Sequence, residues 1–187
     1  PINEENQPHT LIGCFIPEAN KMRFLLRNIA YHQHPVCTHT LNALDRTQKE
    51  LDLLKTDYFE LYQYLEPKHI LALKWGILFH DIGKIDPQTD HETSGTAIAV
   101  KALEYIGYDD QELFNLVSLL VVNHTKVVQL SRTSAYFDQA LQSFFEIADR
   151  NLIYVILLFI CNISDYSSVS ESNAHSTKVL RTFFEET

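Results

Sequence analysis

At 187 residues, with 45% hydrophobic and 21% charged side chains, the chain has the size and make-up of one globular domain that needs no disulfide staples. Its net charge of −9 argues against long nucleic acid as a partner, because holding a phosphate backbone takes clustered Lys and Arg. Three widely spaced cysteines, Cys14, Cys37 and Cys161, make no paired motif and read as free, mostly buried thiols in a reducing compartment, so a cytoplasmic location is expected.

The chain opens at Pro1 without a methionine, which fits a domain cut from a longer polypeptide. Residues 1–17, PINEENQPHTLIGCFIP, are polar and proline-punctuated and read as a linker or the tail of a preceding domain, which leaves 18–187 as the folded unit. NKMRFLLRNIAY (20–31) has the spacing of a short amphipathic helix. THTLNALDRTQKELDLL (38–54) places Leu41, Leu44, Leu51 and Leu54 between charges and predicts a second helix. Pro67 suits the first turn of a third, which runs through Ile70, Leu73, Trp75 and Leu78 to His80, with Gly83 as its terminator. Residues 84–91 predict a loop broken at Ile85-Asp86-Pro87. A helix over about 92–106 follows, and Asp109 or Asp110 can cap the next one, QELFNLVSLLVVNHTK. RTSAYFDQALQSFFEIA (132–148) is again amphipathic. Residues 150–166 are apolar nearly all round and predict the central buried helix; their longest apolar run, 152–163, is too short to cross a bilayer. A final helix is expected over 171–185. Nothing alternates with the period of a strand, so the expected fold is all-α, one domain.

Against this apolar background stand six side chains that can ligate a metal: His39, His80, Asp81, His91, His124 and Asp165. Asp165 follows ILLFICNIS, where an isolated carboxylate would be costly to bury without a cation. Four imidazoles and two carboxylates, with no thiolate, suit divalent Fe, Mn, Co, Ni or Zn, and pure Mg sites less well. Six ligands are enough for two ions, with Asp81 or a hydroxide bridging them, and paired ions suit phosphoryl chemistry. Lys84, one turn past His80, is placed to reach a phosphate oxygen, and Lys126 and Arg132 are further candidates to grip one, although solvated charge is the plainer reading of both. His9, His32, His34, His69 and His175 read as ordinary surface or hydrogen-bonded residues.

The ordered set H…HD…D, with HDIGK at its centre, resembles the HD superfamily of metal-dependent phosphohydrolases. By that resemblance the fold is an HD-domain helical bundle. His39, His80, Asp81 and Asp165 would hold a first metal, and Asp81, His91 (in HETSG) and His124 (in VVNH) a second. PEANKMRFLLRNIAYHQHPVCTHTLNAL, DHETSG, LLVVNH and LLFICNISD together resemble the HD domains of bacterial uridylyltransferase/uridylyl-removing enzymes and of tRNA nucleotidyltransferases, both of which carry the module after a nucleotidyltransferase domain. The expected activity is hydrolysis of a small phosphorylated or nucleotidyl substrate by one or two divalent ions, with Asp81 and Lys84 in catalytic roles. The alternative is a regulatory or scaffolding HD module in which the metal serves structure alone.

Overall fold

The computed structural model describes residues 11–23, 25, 35–131, 137–169 and 174–185. Among these there are helices and no strand: α1 (Leu11–Phe15), α2 (Pro17–Met22), α3 (Val36–Asp57), α4 (Phe59–Tyr62), α5 (Pro67–Phe79), α6 (His91–Tyr105), α7 (Gln111–Asn123), α8 (Lys126–Ser131), α9 (Phe137–Ile147), α10 (Leu152–Val169) and α11 (Ala174–Glu185), with a 3₁₀ turn at Ile82–Ile85. The all-α, single-domain expectation is met. Leu11–Phe15 is helical, α2 starts at Pro17, and Ile16 between them is buried in the core.

Local chemistry sets the helix starts. Pro67 occupies the first turn of α5, where a missing N–H costs nothing, and Glu66 and His69 close a reciprocal cap in which Glu66 N–H donates to His69 Nδ1 at 3.0 Å. His69 is therefore structural, as expected; His9, His32 and His34 lie outside the described residues, as does the side chain of His175. Asp90 caps α6 by accepting from Thr93 N, and Asp110 caps α7 by accepting from Glu112 N and Leu113 N. His91 is consequently the first residue of α6, where a loop position was expected.

Helix α10 is the axis of the bundle and packs on α3, α5, α7, α8 and α11. Every side chain from Val155 to Ser164 is buried, which is what an apolar surface on all sides requires. By length and composition α10 and the helical run Gln111–Leu130 are each long and apolar enough to cross a membrane, so the helix outgrows the apolar run that suggested otherwise. Both spend that surface inside the fold, 61% and 50% buried, which fits a soluble protein. Of the thiols, Cys161 is buried, Cys37 half-buried and Cys14 exposed, so burial is less general than expected.

Two contacts fix the frame around the site. Helix α5 meets α7 at Gly76, where an added Cβ would stand 2.7 Å from Leu120 Cδ1, so only glycine lets the two axes come this close. Helix α11 is tied to α3 by Arg181, whose Nη2 reaches both oxygens of Glu50 at 2.8 Å. Burial raises the Glu50 carboxyl above its ordinary range, and Arg181 opposes the shift. Replacing Arg181 with Met would leave that carboxylate buried without its partner, and a loss of about 2 kcal/mol is expected, discounted for the partly exposed guanidinium. The deficit is full above the raised Glu50 pKa and shrinks as pH falls through it, because the protonated acid no longer needs the cation. Urea unfolding of both proteins at pH 7 and pH 4.5 measures the difference.

Candidate metal centre

Four elements deliver the side chains. His39 is the fourth residue of α3, His80 and Asp81 join α5 to the 3₁₀ turn, and Asp165 lies on α10. Neighbours on a regular helix point about 100° apart. Here the backbone leaves the helix between them: His80 is at φ −51°, ψ −36° and Asp81 at φ −108°, ψ 3°, which brings the carboxylate back toward the imidazole. His39 Nε2 stands 3.1 Å from His80 Nε2 and 2.9 Å from Asp165 Oδ1. His80 Nε2 is 3.4 Å from Asp165 Oδ1 and 3.5 Å from Asp81 Oδ2.

The opposite nitrogens show which atoms face inward. His80 Nδ1 lies 2.6 Å from the Ile77 carbonyl and His124 Nδ1 lies 2.7 Å from the Val121 carbonyl, so both rings donate there and turn Nε2 toward the centre. Ser168 gives its hydroxyl proton to the Asp165 carbonyl at 2.7 Å, which leaves its oxygen to accept from His39 Nδ1 at 2.9 Å. The Nε2 atoms of His39 and His80 thus face each other 3.1 Å apart beside two carboxylates, a cluster that needs a positive charge, either a proton on His80 or a metal ion in its place. Outward nitrogens tied in this way are typical of metal-ligating histidines.

A second group shares Asp81. Asp81, His91 and His124 each offer a ligand atom, all within 4.8 Å of one another, as do His39, His80 and Asp81. His124 Nε2 is 3.7 Å from Asp81 Oδ1, and His91 Nε2 is buried with no hydrogen-bond partner among the described residues. The structure therefore brings all six expected ligands into one region and makes Asp81 common to both groups, a donor set that fits divalent cations. Asp90, His91 and Glu92 make a more exposed third cluster that the sequence reading did not single out.

Glycines permit the approach. Gly83 of the 3₁₀ turn lies against the first turns of α6, where an added Cβ would be 2.0 Å from the His91 carbonyl oxygen and 2.6 Å from Gly95 N. Across that contact Thr125 donates to Glu92 at 3.0 Å, tying the end of α7 beside His124 to the start of α6 beside His91. Lys84 pairs with Asp81 Oδ2 at 2.6 Å. Lys126 is exposed on α8, and Arg132 lies outside the described residues. Ser168 escaped the sequence reading, although its place three residues after Asp165 put it on the same helix face.

The electrostatics follow from burial. Burial works against a charge on His80, yet Asp81 and Asp165 outweigh it and push its pKa up to about 9. Burial likewise opposes ionisation of Asp165, but His80 and His39 hold it well below the usual carboxylate range. His124 is driven down to about 4 by burial and by the neighbouring His80 charge, so it is a neutral ligand at pH 7. A cation entering between His39 and His80 must displace the His80 proton. Apparent Mn²⁺ affinity is therefore expected to rise by about tenfold per pH unit and to level off above the His80 pKa. Calorimetry at pH 7 in buffers of different ionisation enthalpy counts the proton released; an affinity that does not change between pH 6 and 8 contradicts this.

Among known proteins, no family model matches the chain. It is 27% identical over 118 residues to the bifunctional uridylyltransferase/uridylyl-removing enzyme of Rhodopseudomonas palustris (strain ATCC BAA-98 / CGA009). The aligned stretch covers 61% of this chain and 12% of that enzyme, so the likeness is to a small part of a much longer protein.

Proposed function

We propose that this chain is an HD-type, metal-dependent phosphohydrolase acting on a nucleotidyl or nucleotide-like phosphoester. The observation that carries the reading is the sharing of Asp81 between two overlapping His/Asp groups, in the residue order expected of that superfamily. The likeness to an enzyme named for uridylyl removal supports hydrolysis of a nucleotidyl ester as the reaction class.

His39, His80, Asp81 and Asp165 would hold one ion, and Asp81, His91 and His124 the other. Two such ions supply Lewis acidity to a phosphoryl group and make water nucleophilic near neutral pH. The protein's own part begins with charge. With Asp81 and Asp165 ionised in a buried site, and −9 over the chain, a phosphoester is repelled unless cations are in place. Asp165, Lys84 and His91 are the members that reach solvent, with side chains 17%, 18% and 30% exposed, so they form the mouth through which substrate enters. Lys84 exchanges Asp81 for a substrate phosphate oxygen and stabilises the charge that grows there. Lys126, exposed two residues beyond His124, extends the positive rim toward the rest of the substrate, and Arg132, outside the described residues, is the further candidate to grip a phosphate. A cytoplasmic setting and a neighbouring domain in a longer polypeptide fit this reading, as does a folded unit over 18–187.

The test is hydrolysis of bis-p-nitrophenyl phosphate, 2′,3′-cyclic nucleotides and a uridylylated protein in Mn²⁺ or Fe²⁺, with EDTA as control. Metal-dependent cleavage of at least one is expected. Binding of two ions without cleavage of any would turn the assignment to the regulatory or scaffolding module.

A further inference from the structure

Asn162 lies one helical turn before Asp165 on α10, the most apolar helix of the chain, and is 0% exposed. A primary amide in such a place is costly unless it is hydrogen-bonded. Its Nδ2 donates to Leu158 O in its own helix at 2.9 Å and to Asn123 O, across the interface, at 3.3 Å. Its Oδ1 is buried and finds no hydrogen-bond partner among the described residues, so the residue is not there for complete self-satisfaction. The acceptor explains it better.

The Asn123 carbonyl and the His124 N–H belong to one planar peptide at the end of α7, so a bond to that oxygen sets the backbone orientation from which the His124 ring projects. The Asn123 side chain is engaged elsewhere, donating to Leu119 O at 2.9 Å, so the main-chain carbonyl is what α7 offers to α10. On the other side of His124, Thr125 is bonded to Glu92 of α6. The turn bearing His124 is thus held from both flanks, by α6 next to His91 and by α10 one turn from Asp165.

We propose that Asn162 is a positioning residue which sets the spacing between the two halves of the centre, Asp165 with His39 and His80 on one side and His124 with Asp81 and His91 on the other. Asp165 is carried by the same rigid helix whatever residue 162 is; His124 is not. Loss of the amide must therefore fall on the ion held by His124 and spare the ion held by Asp165. The inference rests on the two-ion reading above.

The experiment titrates Mn²⁺ by calorimetry into the unaltered chain, Asn162→Leu and Asn162→Ser, with thermal melts followed by circular dichroism. Leucine keeps the volume and removes the donor. Serine can still bond Leu158 O but is too short to reach Asn123 O. Both variants are expected to bind the first ion within about threefold of the unaltered chain and the second about 10–100-fold more weakly. Excess Mn²⁺ should restore hydrolysis, a recovery that a merely structural residue would not show. If Asn162→Leu fails to fold, Asn162→Ser alone decides. Two unchanged binding steps in a folded variant, or equal weakening of both, overturns the role of Asn162 and leaves the two-ion reading standing. Fewer than two ions on the unaltered chain overturns both.

Discussion

Asp81→Asn is expected to lower metal-dependent hydrolysis by roughly a thousandfold or more while leaving the fold in place. The amide has nearly the same shape as the carboxylate, so packing of a side chain that is 2% exposed is preserved. What disappears is the one negative group that belongs to both ligand clusters. Lys84 loses its partner at 2.6 Å, and His80 loses one of the two carboxylates that raise its pKa. Calorimetry should find at most one Mn²⁺ per chain in the variant. His91→Asn should differ in kind, since it belongs to only one of the two clusters that share Asp81: one ion is lost and the other retained with nearly its original affinity. A turnover for Asp81→Asn within tenfold of the unaltered protein would rule out the shared carboxylate as the organising feature.

Gly83→Ala should be the most damaging conservative change away from the ligands. The added methyl would lie 2.0 Å from the His91 carbonyl oxygen and 2.6 Å from both Gly95 N and Ser94 Oγ. Two of these three are main-chain atoms of a helix, which cannot rotate aside as a side chain can. The 3₁₀ turn must therefore part from α6, with an expected cost of about 3 kcal/mol, or a fall in melting temperature of about 6–12 °C. The same displacement moves Asp81, two residues earlier, relative to His91. Ion binding at the Asp81–His91–His124 group should weaken more than at the other group. Thermal melts with and without Mn²⁺ measure both effects, and a loss of less than about 1 kcal/mol would show that the turn and α6 have room to adjust.

Much of this architecture was legible in the residues. Period-3.6 apolar spacing located α3, α5, α6 and α7, and Pro67 and the Asp109-Asp110 pair marked two of their starts, because local chemistry decides where a helix begins. The all-round apolar run before Asp165 announced the buried axis. His39, His80, Asp81, His91, His124 and Asp165 were nameable from their order and from the cost of burying charge near apolar helices. Lys84, the candidate for a substrate phosphate, is held against Asp81, a pairing that its place one turn past His80 does not announce. The breaker at Ile85-Asp86-Pro87 predicts a loop through His91, yet Asp90 caps the helix one position earlier and makes His91 its first member.

The sequence by itself thus determined a helical bundle with metal-ligating side chains at the ends and inner faces of its helices, since periodicity, capping and burial cost act over a few neighbouring residues. Only the packing of distant helices settles that two imidazole nitrogens stand 3.1 Å apart, that Asp81 belongs to two clusters, that Ser168 meets His39 Nδ1 and that Asn162 meets the Asn123 carbonyl. Those facts depend on how closely helices distant in sequence approach one another. That approach is set by small contacts such as Gly76 on Leu120 and Gly83 on His91, whose partners no local pattern names.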